Sequence, residues 1–366
     1  MSKVKSAREP LFHISKRIGI KTWLAWVIRI SSIFAALIVC GLVTVLLTGQ
    51  NPFEVYATLI DGAVGTERRL WSLAQNTAIL LCISLAVTPA FKMKFWNIGA
   101  EGQVLIGGLA TTICMIEWGD KLSNGLLILV ILIASVVAGV IWAVIPALFK
   151  AKWNTNETLF TLMMNYIAIQ IVSYYVFEHS NPKGSGFIGV INPNTQAGWL
   201  PKLGGKSYLF NIVIVAVLTV IMYIYLKYNK HGYEIAVVGE SENTARYIGI
   251  NVKKVIIRTM ILSGAICGIA GLLIVSGTDH TITRDSAGGR GFTAIMVSWL
   301  AKFNPLMMVL TSLLIVFLQR GAGQISTEFG LNESFSEILT GIIIFFIIGS
   351  EFFVNYKINF REKEGK

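Results

Sequence analysis

The sequence predicts an all-α, polytopic membrane protein with about ten transmembrane helices, and three observations support this fold class. Hydrophobic residues make up 54% of the 366 residues and charged residues only 14%, whereas soluble domains carry about 25% charged residues. Uncharged apolar runs such as 30–48, 122–149 and 209–226 are near the roughly 20 residues that cross a bilayer core. Lys and Arg cluster at the ends of these runs, which is typical of cytoplasmic loops.

The chain begins with a basic segment, residues 1–23, which we place in the cytoplasm. The apolar run after it is too long for a signal-peptide core and lacks a clear cleavage site, so we expect it to remain as the first span of a transmembrane domain, 24–355. Spans are predicted at 24–48, 73–91, 103–117, 125–149, 157–177, 208–227, 258–276, 291–301, 305–319 and 336–354. An even number of crossings returns the basic tail, 356–366, to the cytoplasm.

The connections between spans differ in kind. The predicted external segment 178–207 is rich in Pro, Gly and Asn and reads as a loop, while the predicted cytoplasmic segment 228–257 is basic. Span 291–301 has half the usual length, which indicates a broken or re-entrant helix. Its Gly-rich start echoes the Gly-rich segment after the second span, so we expect internal repeats. No soluble domain of useful size is present, and any energy must come from another polypeptide or from an ion gradient.

The segment 91–108 places Asn97, Glu101 and Gln103 among four glycines where one span gives way to the next. A carboxylate at membrane depth costs about 2.5 to 3.5 kcal/mol on insertion scales, so it normally faces a cavity or a partner. Two interpretations are open. The segment is a broken helix that lines a solute path, or it is an interfacial turn in which Glu101 caps a helix or pairs with a neighbouring lysine.

The next span places Asn165 and Tyr166 inside an otherwise apolar stretch. A side-chain amide in lipid must find a hydrogen-bond partner. That partner is either another helix, which is the commoner case, or a polar solute.

The cytoplasmic segment contains a capping signal. Ser241 can cap a short helix that includes Thr244 and Tyr247 and that ends before Gly249. A short amphipathic helix between two spans is suited to docking on a separate motor subunit, and the alternative is a solvated loop. The span that follows carries Gly264 and Gly268 in the small-xxx-small spacing of closely packed membrane helices.

Other functional classes receive little support from the sequence. The four Cys lie in apolar runs without a C-x-x-C pair, and the four His are scattered, so neither disulfides nor a metal site nor a cofactor is predicted. The formal net charge of +11 reflects basic residues at span ends and not a stripe interleaved with aromatics, so nucleic-acid binding is not expected.

Three segments resemble a known family. FWNIGAEGQ at 95–103, TLFTLMMNYIA at 158–168, and GESENTARYIGINV at 239–252 followed by LSGAICGIAGL are similar to the permease subunits of ABC importers for nucleosides and simple sugars. These belong to the wider family that also serves ribose and branched-chain amino acids. The resemblance runs in the same order and spacing over roughly residues 70–325.

The resemblance implies a transmembrane subunit of a nucleoside importer that works by alternating access. It implies a heterodimer with a second, homologous permease subunit, a cytoplasmic ATP-binding subunit, an extracytoplasmic substrate-binding lipoprotein and contact with membrane lipid. It implies a multi-pass protein of the bacterial inner (cytoplasmic) membrane with both termini in the cytoplasm. ATP hydrolysis would take place in the partner, and this chain would not be an enzyme.

The resemblance also implies roles for individual residues. Asn97, Glu101 and Gln103 would line the translocation pathway, to which Asn165 and Tyr166 are added as candidates from their own span. The residues expected to meet the ATPase are Gly239, Glu240, Asn243, Arg246, Tyr247 and Gly249. The stretch 240–243 departs from the family pattern, which has Asn-Pro after the glycine.

Three alternatives remain open at the level of sequence. The cargo could be a ribose-like simple sugar. An ion-coupled secondary transporter would show acidic or His relays within its spans, for which Glu101 is the strong candidate here. A membrane-embedded enzyme would need a nucleophile, paired carboxylates or a metal-ligand cluster on one face, and no such pattern is evident.

Overall fold

Helices dominate the computed structural model, which describes residues 12–17, 19–49, 51–206 and 208–360. The helices are α1 (Thr22–Thr48), α2 (Pro52–Val64), α3 (Glu67–Lys92), α4 (Ala100–Trp118), α5 (Asn124–Trp153), α6 (Glu157–Glu178), α7 (Leu209–Tyr228), α8 (Lys230–Glu240), α9 (Glu242–Tyr247), α10 (Val252–Ile274), α11 (Arg290–Leu300), α12 (Pro305–Glu328) and α13 (Glu333–Asn355). A π-helical turn, Val275–Asp279, extends α10, and two short strands are β1 (Phe12–Lys16) and β2 (Tyr356–Phe360). The structure is that of an all-α, polytopic membrane protein.

Within the described ranges, eight helices are long and apolar enough to cross a membrane. They correspond to the predicted first, second, fourth to seventh, ninth and tenth spans. The predicted third and eighth spans correspond to α4 and α11. Helix α11 has 11 residues, and at 1.5 Å per residue it covers only about half of a 30 Å core. The half-length helix expected from the sequence at 291–301 is therefore confirmed.

The chain divides into two compact units, of which the larger comprises residues 67–316. In this unit α10 packs against α3, α4 and α5. Close approach depends on small residues: a Cβ on Gly107 would lie 2.6 Å from the Cα of Gly268, and one on Gly264 would lie 2.6 Å from the Cβ of Ala143. The prediction that the Gly264 and Gly268 spacing marks tight helix packing is confirmed.

The smaller unit comprises residues 1–66 and 317–366. Here α1 packs against α13, and β1 pairs with β2 in antiparallel register. Helix α2 is capped by Asn51, whose side chain accepts a hydrogen bond from the Phe53 amide, and Pro52 is the first residue of the helix. The strand pairing places the two ends of the described chain beside each other.

Three of these elements were not predicted from the sequence. Helix α2 lies in a predicted external connection, α8 lies in the predicted cytoplasmic segment, and the two-stranded ribbon of β1 and β2 lies in the two terminal segments. Much of those basic ends, 1–11 and 361–366, is outside the described residues.

Candidate functional site

The first candidate pathway residues lie in a buried polar cluster at the start of α4. We call Asn97, Glu101, Gln103 and Asn165 the α4 junction. Asn97 is fully buried, donates a hydrogen bond to the Ser263 hydroxyl at 3.2 Å and accepts one from the Gln103 amide at 3.3 Å. Gln103 is buried as well, and its Oε1 has no partner in the described part of the chain. The junction thus ties the loop before α4 to α10.

Glu101 connects α4 to the half-length helix α11. Its two carboxylate oxygens accept hydrogen bonds from the backbone amides of Gly289 and Gly291, each at 2.7 Å. These amides belong to the first turn of α11, where a helix has unpaired donors and a partial positive charge. Only 7% of the side chain is exposed. Of the two interpretations of this segment, a broken helix along a solute path or a turn in which Glu101 caps a helix, the structure displays the capping contact. The helix that Glu101 caps is α11, which is distant in sequence.

Arg290 completes this contact. Its guanidinium lies near enough to Glu101 to interact electrostatically. It donates hydrogen bonds to the Ser286 carbonyl at 3.1 Å and to Asn76 Oδ1 of α3 at 3.2 Å. The two Gly-rich segments, which resemble each other in the sequence, therefore lie in contact. Helices α3, α4 and α11 are joined by the hydrogen bonds of Glu101 and Arg290.

Asn165 holds α6 to the same junction. Its Oδ1 accepts a hydrogen bond from the Gly102 amide at 2.9 Å, and its Nδ2 donates one to the Ile98 carbonyl at 2.9 Å. The side chain is 3% exposed. This geometry is that of hydrogen bonding between helices, the commoner interpretation of an Asn in a span.

Tyr166, the next residue, lies on a different face of α6, about 100° around the helix from Asn165. It is 63% exposed, and Tyr174 is 69% exposed. Gln170 lies between them, one helical turn from each, and is also exposed. We call Tyr166, Gln170 and Tyr174 the outer face of α6. Gln170 and Tyr174 were not predicted as candidates, although their spacing of four and eight residues from Tyr166 places them on the same helix face.

Neighbouring helices expose a different kind of surface. The strongly exposed side chains along the middle of α5 are aliphatic, for example Leu129, Ile133 and Ile141, and those of α7 include Val217 and Ile221. Such surfaces are suited to lipid. Helix α6 exposes apolar side chains as well, among them Met163, Ile167 and Ile171, but its outer face adds a primary amide and two phenols, which hydrocarbon cannot satisfy.

The candidate coupling residues lie on two short helices after α7. Ser241 accepts a hydrogen bond from the Thr244 amide at 3.2 Å and so caps α9, as the sequence predicted. Tyr247 is 93% exposed, and Arg246 is exposed and pairs with Glu242 at 3.2 Å. Gly249 ends the helix with a φ of 86°. Glu240 and Asn243 are exposed as well.

The exposed residues of α9 rest on a buried apolar base. Ala245 is buried in an apolar cluster with Met93 and Phe95 from the loop after α3, Ile235 from α8 and Val255 from α10. Gly239 lies so close to the end of α3 that a Cβ would collide with the Lys92 carbonyl. The short helices α8 and α9 are therefore packed against the ends of α3 and α10.

The loops at the other end of this unit are also packed together. The rings of Trp199 and His280 stack at a centroid distance of 3.6 Å, and the Ile191 amide donates a hydrogen bond to the His280 carbonyl at 2.8 Å. Burial of the ring, helped by the charge of Lys202, lowers the pKa of His280 below its ordinary value. In the described residues no group of His, Cys, Asp and Glu is arranged to hold a metal ion.

Comparison with known proteins relates this chain to membrane transport. The family described as "Branched-chain amino acid transport system / permease component" matches residues 70–348. The chain is 29% identical to the glucose ABC transporter permease protein TsgB13 of Haloferax volcanii, over 94% of this chain and 93% of that protein. It is 28% identical to the guanosine ABC transporter permease protein NupP of Bacillus subtilis, over 85% and 89% of the two chains.

A third relative is the nucleoside ABC transporter permease protein NupB of Lactococcus lactis subsp. cremoris, which is 27% identical over 84% of this chain and 86% of that protein. No solved structure matches this chain significantly.

Proposed function

The chain belongs to the permease family of branched-chain amino acid transport systems, and from this premise we propose that it lines one side of a transmembrane pathway for nucleosides. Membership in this family makes the chain a membrane transport subunit of the ABC class and not an enzyme. The two alternatives of an ion-coupled carrier and a membrane-embedded enzyme are thereby excluded. ABC permeases work with an ATPase and a substrate-binding protein. The identity of the cargo and of each partner, and the residues that meet them, are our proposals.

The observation that carries the proposed pathway is the outer face of α6. Leaving an amide without a hydrogen bond in an apolar medium costs several kcal/mol. Gln170 therefore needs water, a solute or a protein partner beside it, and the two tyrosines flank it on the same face. We place this face along the pathway, with a second, homologous permease subunit on its other side.

Nucleosides are the cargo that this face favours. A planar base can stack on the ring of Tyr166 or Tyr174 and can present hydrogen-bonding edges to the amide of Gln170. Two of the three relatives named above transport guanosine or nucleosides by name, and the third transports glucose. A simple sugar is thus the second candidate, since its hydroxyls could also pair with Gln170.

The α4 junction has a supporting role in this proposal. Asn97, Glu101 and Gln103 lie behind the pathway and hold α4, α10 and α11 in register, while Asn165 holds α6 so that Tyr166 faces outward. The cytoplasmic ATPase would bind at α9, where Arg246 and Tyr247 present an exposed cation and an exposed ring. We also propose that both termini are cytoplasmic and that the substrate-binding partner is an extracytoplasmic lipoprotein.

The test of the function is uptake of radiolabelled guanosine by cells that depend on this chain. We expect Arg246→Ala combined with Tyr247→Ala to abolish uptake while the protein remains in the membrane at normal abundance. A matched control is Lys152→Ala with Trp153→Ala, which removes an exposed cation and ring at the end of α5, on the same predicted side. The control is expected to transport normally. Normal uptake by the first variant would contradict the coupling assignment.

The cargo is tested separately by competition. Unlabelled guanosine should compete with the label, and ribose or glucose in large excess should not. Competition by glucose alone, with no guanosine uptake, would assign the chain to sugar transport. Co-purification with an ATPase and a second permease is expected in either case.

A further inference from the structure

The two ends of the described chain meet in a ribbon beside the ends of two spans. In the antiparallel pairing of β1 and β2, Ser15 lies opposite Lys357 and Lys16 lies opposite Tyr356. Helix α13 ends at Asn355, immediately before β2, and α1 begins at Thr22, shortly after β1. Because α1 and α13 qualify as membrane spans, the ribbon lies near the membrane surface.

Positive charge is concentrated in the described part of this surface. Residues 12–21 and 356–360 contain Lys16, Arg17, Lys21 and Lys357 and no Asp or Glu. Lys16, Lys21 and Lys357 are exposed, and their side chains form no ion pair in the described part of the chain. Glu351, near the end of α13, is already engaged by Arg29 at 2.9 Å. The ribbon therefore presents cations that no acidic side chain of the described residues neutralises.

Large apolar and aromatic side chains are exposed next to these cations. Trp23 is 63% exposed, Trp26 is 50% exposed and Ile14 of β1 is 53% exposed. Phe353 and Tyr356, where α13 passes into β2, are partly exposed as well. Trp and Tyr concentrate where hydrocarbon meets headgroups, because their rings are apolar and their N–H or O–H is polar. Cations beside such rings match a layer of anionic headgroups over hydrocarbon.

We propose that this surface is a binding site for anionic phospholipid headgroups. The lysine ammonium groups would pair with lipid phosphates while the exposed rings enter the outer part of the hydrocarbon. We define the surface, for the experiment, by Lys16, Lys21, Lys357, Trp23 and Trp26. A two-stranded ribbon is only marginally stable alone, so bound lipid would also stabilise the pairing of the chain ends. This role is separate from the pathway at α6 and from the coupling helix α9.

The experiment uses the full-length chain purified from membranes in a mild detergent and exposed to equimolar phosphatidylglycerol and phosphatidylcholine. Native mass spectrometry counts the lipids that stay bound. We expect the unmodified protein to retain more phosphatidylglycerol than phosphatidylcholine. Each cation near an anionic surface contributes about fivefold, so three contribute at most about a hundredfold. The variant K16Q/K21Q/K357Q should therefore lower the ratio of the two lipids by between about fivefold, the effect of one cation, and about a hundredfold.

A matched control removes three exposed lysines from the predicted external connections, in K121Q/K183Q/K202Q, and should leave the ratio unchanged. Since the variants could differ in folding, the unmodified protein is also measured at increasing salt, where the preference should fall. Equal retention of both lipids by the unmodified protein, equal loss in both triple variants, or a preference that salt does not change would overturn the proposal. An unchanged lipid ratio with loss of a co-purifying protein would assign the surface to a protein partner instead.

Discussion

The α4 junction and the outer face of α6 both place polar groups inside the transmembrane part of the chain, but they satisfy them differently. At the junction, Glu101 and Asn165 direct their oxygens at backbone amides, and both are almost fully buried. On the outer face, Tyr166 and Gln170 are exposed. Because hydrocarbon offers no hydrogen bonds, the polar groups of the first region are satisfied within the chain, and those of the second need a partner, for which we propose a solute or a second subunit.

The contrast is sharpest between Asn165 and Tyr166, which are neighbours in sequence. Successive residues of a helix point about 100° apart, so a single step along α6 separates a buried structural contact from an exposed surface. A carboxylate or amide in a span is therefore not by itself a sign of a pathway. Its partners decide which of the two roles it has.

The largest expected effect is at Glu101. Glu101→Ala leaves the amides of Gly289 and Gly291 buried without an acceptor, and each unsatisfied group costs about 1–3 kcal/mol. We expect the free energy of unfolding to fall by about 2–6 kcal/mol, measured by denaturant titration of the purified protein in detergent. Glu101→Gln keeps one acceptor oxygen and should lose about half as much.

The control for this prediction is Glu117→Ala, which removes an exposed carboxylate near the other end of α4. Exposed substitutions usually change stability by no more than about 0.5 kcal/mol. If Glu101→Ala were as stable as this control, the carboxylate would not be holding α11, and the distinction between the two regions would fail.

The next prediction compares Asn165 with Tyr166. Asn165→Ala removes the hydrogen bonds to Gly102 and Ile98 and should cost about 1–3 kcal/mol in the free energy of unfolding. Tyr166→Ala should change stability by no more than about 0.5 kcal/mol, because its side chain is largely exposed. Uptake of guanosine per folded molecule should instead fall severalfold in Tyr166→Ala.

Variants of α5 supply the reference for that measurement. Ile133→Ala removes a similarly exposed side chain from a helix whose outer surface is aliphatic, and it should leave both stability and uptake nearly unchanged. Normal uptake by Tyr166→Ala would show that the outer face of α6 meets neither solute nor a subunit needed for transport.

The smallest expected effect concerns His280, whose Nδ1 is buried without a hydrogen-bond partner in the described residues. Its pKa is lowered by burial and by Lys202. Above the ordinary pKa of about 6.5 the ring is neutral in both the folded and the unfolded state. As the pH falls below this value, the unfolded chain takes up a proton first, so stability declines until the folded ring is also protonated.

The measurement is the dependence of unfolding free energy on pH between 7 and 5. His280→Phe keeps a ring against Trp199 and removes the titration, so its stability should decline less steeply than that of the unmodified protein. Parallel curves for the two proteins would show that His280 does not contribute to the pH dependence of the unfolding free energy.

Much of the architecture was predictable because its causes lie within short stretches of chain. A span is set by the hydropathy of about 20 contiguous residues, so α5, α6 and α7 lie close to their predicted ranges. The cap of α9 depends on Ser241 and on an amide three residues later. The half-length of α11 followed from the length of its apolar run.

Helix α2 and the ribbon were not predicted for the opposite reason. Helix α2 carries Glu54 and Asp61 and falls short of a span, so hydropathy alone did not mark it. The strands β1 and β2 have five residues each, and they become strands by pairing across nearly the whole length of the chain. Both segments, FHISK and YKINF, alternate apolar and polar residues, but a period of two over five residues does not reveal the partner strand.

The sequence alone therefore determined that this is a polytopic membrane protein, where its spans run and which polar residues they contain. Only the tertiary structure decided that Glu101 caps α11, that Asn165 faces inward and that Tyr166 faces outward. Hydropathy and helix caps depend on neighbours along the chain, whereas the partner of a buried polar group depends on which helices pack beside it. In helices that are apolar on nearly every side, the pattern of residues does not reveal which face turns inward.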